Sequence, residues 1–297
     1  GENSWSSRRP AVERLERGQP GYPGGLDDLE FPPRTLYAIG SLACLDGAPA
    51  RLVAVVGTRE PTRYGLRVAR ATGQAIAGAG GVVVSGMARG IDSAAHEGAL
   101  DAGGATIAVL GTGPDVPYPA TNRRLYERVV AAGLVLSESP PGTKAFPGCF
   151  PRRNRIIAAL SKATIVVEAG FKSGALNTAN LAAAINRPVG AFPGQIDVPN
   201  AAGSNLLIRD GQILLGSIDD AITLAGLSRN ATTGRQALGG DEADLWAALD
   251  QGEGTLEQLT AVSGLEPRRA LEAVGRLELA GLVSRGHDGV IGRATVG

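Results

Sequence analysis

Six short apolar runs alternate with alanine-rich stretches between Leu52 and Phe192, and this alternation constrains the fold more than any other feature. The runs are LVAVVG (52–57), GVVVSG (81–86), ATIAVLG (105–111), LVLSE (134–138), ATIVVEA (163–169) and RPVGAF (187–192). Each is rich in Val, Ile or Leu and apolar on both faces, as a strand buried in a parallel sheet must be. Residues 64–79, 92–102, 122–132 and 174–186 lie between them with helical composition. Strand and helix in strict alternation predict right-handed crossovers and an α/β, Rossmann-like, doubly wound, mostly parallel sheet.

Residues 1–47 carry no convincing periodicity and read as a segment leading into a core domain at 48–226. The polar, Gly-containing stretch 227–240 reads as a linker. Residues 241–297 have a separate pattern, three helices and a short hairpin, that resembles a small winged-helix domain. No apolar run approaches 18 residues, so a membrane span is not expected. The first residues lack the apolar middle of a secretory leader. The 2 cysteines, Cys44 and Cys149, are too few for a disulfide scaffold or a thiolate zinc site, which fits a reduced, cytoplasmic setting.

The net charge of zero hides opposed patches. Residues 139–167 hold Lys144, Arg152, Arg153, Arg155 and Lys162 with no acid. Residues 51–91 hold Arg51, Arg59, Arg63, Arg67, Arg70 and Arg89 against Glu60 alone, whereas 241–297 carry 10 acids and 5 arginines. Basic clusters attract polyanions and an acidic module repels them, so 241–297 is expected to face protein rather than nucleic acid.

In an open parallel sheet, ligands gather beyond the carboxyl ends of the strands. Those ends read Gly57-Thr58-Arg59, Ser85-Gly86-Met87-Ala88-Arg89-Gly90, and Glu168-Ala169-Gly170 followed by Ser173-Gly174-Ala175-Leu176. Glycine admits close backbone approach, and helix N-termini present free N–H groups. Singly, each glycine has a plain explanation in a tight turn; together, with arginines among them, the loops favour a phosphate pocket. No G-x-x-x-x-G-K-[ST] is present, and Gly57-Thr58-Arg59-Glu60-Pro61 is not a G-x-G-x-x-G turn, which disfavours a P-loop NTPase and a dinucleotide enzyme. His96 follows Asp92 by one helical turn. A helix-capping Asp92 and a hydrogen-bonded structural His96 explain the pair better than a metal site, and neither metal nor cofactor is expected.

The strongest segment is Phe150-Pro151-Arg152-Arg153-Asn154-Arg155, read as lying just ahead of a helix beginning at Ile156. Guanidinium forks match phosphate oxygens, and an exposed Phe offers a base a stacking face. The alternative is that Phe150 is core and the arginines pair with distant carboxylates.

These stretches also carry a family resemblance. VVGTREPTRYG (55–65), VSGMARGIDSAAHEGAL (84–100), TIAVLGTGPDVPYPATNRRL (106–125), FPRRNRIIAALS (150–161), VVEAGFKSGALNTA (166–179) and FPGQIDVPNAAGSNLLIRDGQ (192–212) resemble the DprA/Smf family, in order and spacing, over about 20–225. The resemblance implies single-stranded DNA binding without turnover, homodimerisation, and loading of the recombinase RecA onto that DNA in recombination or natural transformation. It assigns the DNA grip to Arg59, Ser85, Gly86, Phe150, Arg153, Asn154, Arg155, Ser173 and Gly174. To these the charge and loop reading adds Gly57, Thr58, Arg89 and Lys144. The resemblance further assigns dimer and RecA contacts to the region of Asn205, Leu206, Leu207 and Ile208. Asn177 and Gln212 depart from the family pattern, the first at the expected pocket's edge. A nucleotide phosphoribohydrolase is the competing class; it needs a catalytic carboxylate and a Gly-Gly-x-Gly-Thr loop, and neither stands at 168–180.

Overall fold

Nine strands build the main sheet, and their order explains where a ligand can sit. A computed structural model describes residues 11–228, 239–249, 252–279, 282–286 and 289–293. The chain divides into two compact units, Gly1–Arg229 and Asn230–Gly297. Most of the linker read at 227–240 falls outside the described residues.

In the first unit the strands are β1 (Glu13–Glu16), β2 (Thr35–Gly40), β3 (Leu52–Val56), β4 (Val82–Ser85), β5 (Thr106–Leu110), β6 (Leu134–Ser137), β7 (Ala163–Val166), β8 (Val189–Ala191) and β9 (Ile213–Leu214). The helices are α1 (Arg63–Gly78), α2 (Ile91–Asp101), α3 (Arg123–Ala132), α4 (Cys149–Leu160), α5 (Gly174–Ala184), α6 (Ala202–Arg209) and α7 (Ile218–Leu224). The sheet runs β1-β2-β6-β5-β4-β3-β7-β8-β9, parallel from β6 to β9. The α/β, doubly wound reading therefore holds. Residues 1–47, which show no convincing periodicity, contribute two antiparallel strands that extend the β6 edge.

Side chains alternate across β3 and so build a core on each face. Leu52, Ala54 and Val56 pack with Ile156, Ile157 and Leu160 of α4 and with Ala175 and Ala179 of α5. Val53 and Val55 pack with Val68 and Ile76 of α1 and Ala95 and Ala99 of α2. Small residues bring α1 and α2 into backbone contact: a Cβ on Gly73 would strike the Ala95 carbonyl oxygen, and one on Gly98 the Arg70 carbonyl oxygen.

His96 on α2 is fully buried. The Thr106 hydroxyl donates to Val83 O at 2.9 Å and contacts His96 Nδ1 at 2.7 Å, so Nδ1 carries the proton that the hydroxyl oxygen accepts. Nε2 then has no partner, and charging it would bury an N–H without an acceptor. Burial first, and the Arg153 charge second, hold the imidazole down to about 3 from its ordinary 6.5. The unfolded chain binds the proton more readily, so this residue's contribution is present above about pH 6.5 and is lost as pH falls. Urea denaturation checks this: the stability gap between wild type and His96→Asn narrows by up to about 1.4 kcal/mol per pH unit from 6.5 towards 5. A gap unchanged over that range contradicts a neutral buried ring.

The second unit contains α8 (Asp241–Ala248), α9 (Leu256–Ser263), α10 (Pro267–Leu279) and the antiparallel pair β10 (Val283–Arg285) and β11 (Ile291–Arg293). Leu245, Trp246, Leu259, Ala273, Val274 and Leu277 form its core. Its cations are largely paired: Arg269 with Asp241, Arg276 with Glu242 and Arg268 with Glu272. Among the described residues, no helix is long and apolar enough to cross a membrane.

Candidate nucleic-acid interface

The strand order reverses between β3 and β7, neighbours in the sheet that are far apart in the chain. The loops leaving such a pair diverge to opposite faces and open a crevice. A cavity of about 540 Å³ lies there, bounded by Gly57, Thr58 and Arg59 after β3 and by Gly170, Lys172, Ser173 and Gly174 after β7. Phe150, Arg153 and Asn154 of α4 close it from the side. An adjoining hollow of about 210 Å³ adds Gly86, Arg89 and Tyr118.

Helix α4 begins at Cys149, so the basic segment forms its first turns instead of preceding it. Pro151 gives no obstacle there, because the first-turn N–H groups have no helical acceptor. Successive residues on a helix point about 100° apart, and the three arginines consequently go to different surroundings. Arg152 and Arg155, three residues apart, both reach Glu138, at 2.9 and 2.7 Å. Arg153 turns inward; it is 6% exposed and donates from Nη1 to Gly86 O at 2.7 Å and to Val109 O. The tally of uncompensated bases over 139–167 fails physically, since Glu138 stands one residue outside that window. Lys162 precedes β7, at the opposite end of the strands.

Phe150 and Asn154 lie one turn apart on the cavity side. The Phe150 ring is half-buried and has two neighbours, the Tyr118 ring at 5.0 Å and the Arg59 guanidinium at 5.4 Å. Asn154 Nδ2 donates to Gly174 O and to Asn177 Oδ1, both at 3.3 Å, clasping α4 to the start of α5. The departure at Asn177 thus falls on the cavity's edge.

One expected anion turn, and the helix N-terminus that follows another, are already filled by carboxylates of the chain. Asp92 Oδ2 accepts from Gly86 N at 3.1 Å and Ala88 N at 3.3 Å. Asp92 therefore caps the preceding loop, not its own helix, whose N-cap is Gly90. Glu168 Oε2 accepts from Thr62 N at 2.9 Å and Thr62 Oγ1 at 3.3 Å, at the N-terminus of α1. Gly57 and Gly86 serve close packing: a Cβ on Gly57 would lie 2.5 Å from Ile91 Cγ1, and one on Gly86 2.5 Å from Arg153 Nη2. The third turn is open. Ser173 Oγ accepts from Ala175 N at 3.3 Å, and a Cβ on Gly174 would meet nothing within 4 Å. Ala175 N is thus capped by Ser173 and Leu176 N is bonded to Ser173 O at 3.1 Å, and the start of α5 turns its positive dipole end to the cavity with room for an anion at Gly174.

Of the residues singled out from the sequence, Gly57, Thr58, Arg59, Phe150, Arg153, Asn154, Ser173 and Gly174 line the cavity, and Gly86 and Arg89 line the hollow. Ser85 is buried with its hydroxyl donating to Val55 O at 2.6 Å, Arg155 turns to Glu138, and Lys144 is exposed on the β6–α4 loop. Tyr118, Lys172 and Asn200 were not singled out. Tyr118 had a legible signal, an aromatic beside proline in a loop leaving a strand's carboxyl end. On α6, Asn205 exchanges hydrogen bonds with the Gly194 backbone at 3.1 and 2.9 Å, and Leu207 is core; Leu206 and Ile208 are half-buried. No cluster of three or more metal-ligating side chains occurs among the described residues.

A family profile described as DNA recombination-mediator protein A matches residues 14–226. The chain is 40% identical over 265 residues to a protein described as DNA processing protein DprA of Mycobacterium tuberculosis, covering 84% of this chain and 66% of that one. It is 45% identical over 213 residues to protein Smf of Synechocystis, covering 71% of this chain and 54% of that one. The chain thus spans less than two thirds of these relatives' length. Among solved structures, DNA processing protein A of Streptococcus pneumoniae superposes with a TM-score of 0.68 at 39% identity, over 71% of this chain and 74% of that chain. A structure describing the single-stranded DNA binding mode of DNA processing protein A from Helicobacter pylori superposes with a TM-score of 0.65 at 32% identity, over 72% and 95%. The matched residues include every wall of the cavity, and the chain belongs to the DNA recombination-mediator protein A family, DprA/Smf.

Proposed function

We propose that this protein binds single-stranded DNA at the crevice between β3 and β7, and that it acts by binding instead of by catalytic turnover. One observation carries the reading: a part-exposed aromatic ring, Phe150, with Tyr118 and Arg59 as neighbours, lines the same cavity as the helix N-terminus at Gly174. A single strand offers both a base face and a phosphate within one nucleotide, and double-stranded DNA keeps its base faces stacked. The Helicobacter pylori relative, whose structure describes its single-stranded DNA binding mode, supports the same reading. Of the carboxylates at this cavity among the described residues, Asp92 is engaged by two amides and Glu60 is exposed, while Glu168 lines a different cavity; this arrangement favours binding over turnover.

As a family member, the protein is proposed to pair as a homodimer and to hand the strand to RecA. The edge strand β9 supports pairing through its exposed Ile213 and Leu214, 47% and 53% accessible. These offer more apolar contact than Asn205 and Leu207, which are engaged within the fold.

Arg152, Arg153 and Arg155 have internal partners, so few cations remain for phosphates: Arg59 and Lys172 at the cavity and Arg89 beside it. Each neutralised phosphate of a single strand contributes about −0.7 to the slope of log affinity against log salt. Anisotropy titrations of labelled oligo-dT from 50 to 300 mM salt should give a slope of about −1.4 to −2.1 per protomer, and tighter binding than to duplex of equal length. A slope near −5 or steeper, or a preference for duplex, contradicts the assignment.

A further inference from the structure

A second cavity, of about 620 Å³, opens beside the first and has the opposite chemistry. Thr62, Tyr64 and Arg67 from the start of α1, Glu168 after β7, and Phe192, Pro193, Gly194 and Gln195 after β8 line it. Glu168 is 3% exposed. Its Oε2 is held by Thr62, whereas Oε1 has no hydrogen-bond partner among the described residues. Glu168 lines the cavity, so an oxygen with no donor inside the chain is open to one supplied by water or by a ligand there. Gly65 makes the placement possible, because a Cβ there would strike Glu168 Oε2.

The other walls narrow the ligand class. Tyr64 donates to Pro193 O at 3.3 Å, which fixes its ring across the loops, and Phe192 is buried behind it. The Arg67 guanidinium lies 5.8 Å from the Tyr64 ring centre. Flat apolar walls favour a planar ring. The carboxylate rejects a phosphate and asks for a neutral N–H donor, while Arg67 disfavours a cationic amine and can meet a phosphate outside. Residues of the two cavities interleave along the same loops: Glu60 and Asn200 border the first, Thr62 and Ala201 the second.

We propose that this second cavity is a nucleobase subsite that selects bases bearing an exocyclic amino group, with Glu168 Oε1 accepting from that amine and Tyr64 flanking the ring. Thymine is excluded, because its lone ring N–H lies between two carbonyl oxygens that face the carboxylate with like partial charge. Carboxylates read the cytosine amine in the same way elsewhere. The base can belong to the bound strand, a role that rests on the proposal above for the first cavity, or to a free nucleotide.

The test uses the full chain with oligo-dC and oligo-dT of equal length, and separately with dCMP and dTMP by calorimetry. Wild type should prefer oligo-dC by about tenfold. Glu168→Gln presents an amide donor in place of the free oxygen and should remove or invert that preference. Tyr64→Ala, an exposed position, should weaken oligo-dC and leave oligo-dT unchanged. Equal affinity for both strands, with dCMP binding that Glu168→Gln abolishes, assigns the subsite to free nucleotides. If neither strand binds but dCMP does so through Glu168, the subsite stands and the first cavity's reading falls. Equal strands with no dCMP binding, or a preference that survives both substitutions, overturns the proposal. So does binding of spermidine without dCMP.

Discussion

Replacing Arg153 with methionine should destabilise the first unit by about 3–5 kcal/mol, the usual result of removing one partner from a buried charged cluster. Its guanidinium is nearly inaccessible and carries the hydrogen bonds of two buried carbonyls, Gly86 O and Val109 O. It also offsets the Asp92 carboxylate, which accepts from Gly86 N and Ala88 N in the same loop. Burial pushes the Asp92 carboxyl up, with Arg153 opposing; burial likewise draws Arg153 down to about 10, with Asp92 opposing. Each buried charge is thus held against desolvation partly by the other, so neither is tolerated well alone. Methionine would remove the charge that makes Asp92 tolerable. Urea midpoints should fall sharply in Arg153→Met and recover in part when Asp92→Asn is added, because the uncompensated charge is gone. A loss below about 1 kcal/mol, within the range of exposed ion pairs, contradicts a structural Arg153.

The second large effect should separate stability from binding. Gly174 opens α5, and a Cβ there meets nothing within 4 Å. Aspartate in a helix's first turn usually adds about 0.3–1 kcal/mol, so Gly174→Asp should fold at least as well as wild type. The same carboxylate would stand where a phosphate must bind. Two like charges about 4 Å apart repel by roughly 4 kcal/mol at a near-surface dielectric. Oligo-dT affinity should fall at least tenfold, by about 1.4 kcal/mol or more. A thermal melt and an anisotropy titration on one preparation check both halves. Unchanged affinity removes α5 from the site; a collapsed melt removes the variant's value, and Ser173→Asp then repeats the test at the neighbouring N-cap.

The core strands were legible because parallel strands are buried on both faces, and β3 to β8 lie within their apolar runs. Strands β1 and β2 were not: ERLE at the sheet edge is mostly charged and exposed, and TLYAIG, though apolar over 36–39, stands outside the strand–helix alternation that marks the others. Gly148 and Pro151 read locally as helix breakers, yet both are compatible with a helix's start, which hid the first turns of α4. Once those turns are helical, the arginines diverge and the segment ceases to be a single basic patch. The carboxylates that fill one turn and the helix N-terminus after another were hidden by distance or by register. Glu168 reaches Thr62 across 106 positions, and Asp92 folds back instead of capping its helix. Phe150, Arg59, Ser173 and Gly174 were readable because a stacking ring, a cation and a glycine-opened helix depend on local chemistry at strand ends.

The most direct test of a strand held at the β3–β7 crevice is one anisotropy series with oligo-dT across wild type, Phe150→Ala, Arg59→Ala and Arg152→Ala. Loss of a stacked base typically costs about 1–3 kcal/mol. Phe150→Ala should therefore weaken binding by roughly five- to 150-fold, and Arg59→Ala should follow. Arg152→Ala, whose guanidinium is paired with Glu138 away from the cavity, should bind within about twofold of wild type. Full affinity in Phe150→Ala and Arg59→Ala, or a large loss in Arg152→Ala alone, would contradict the account.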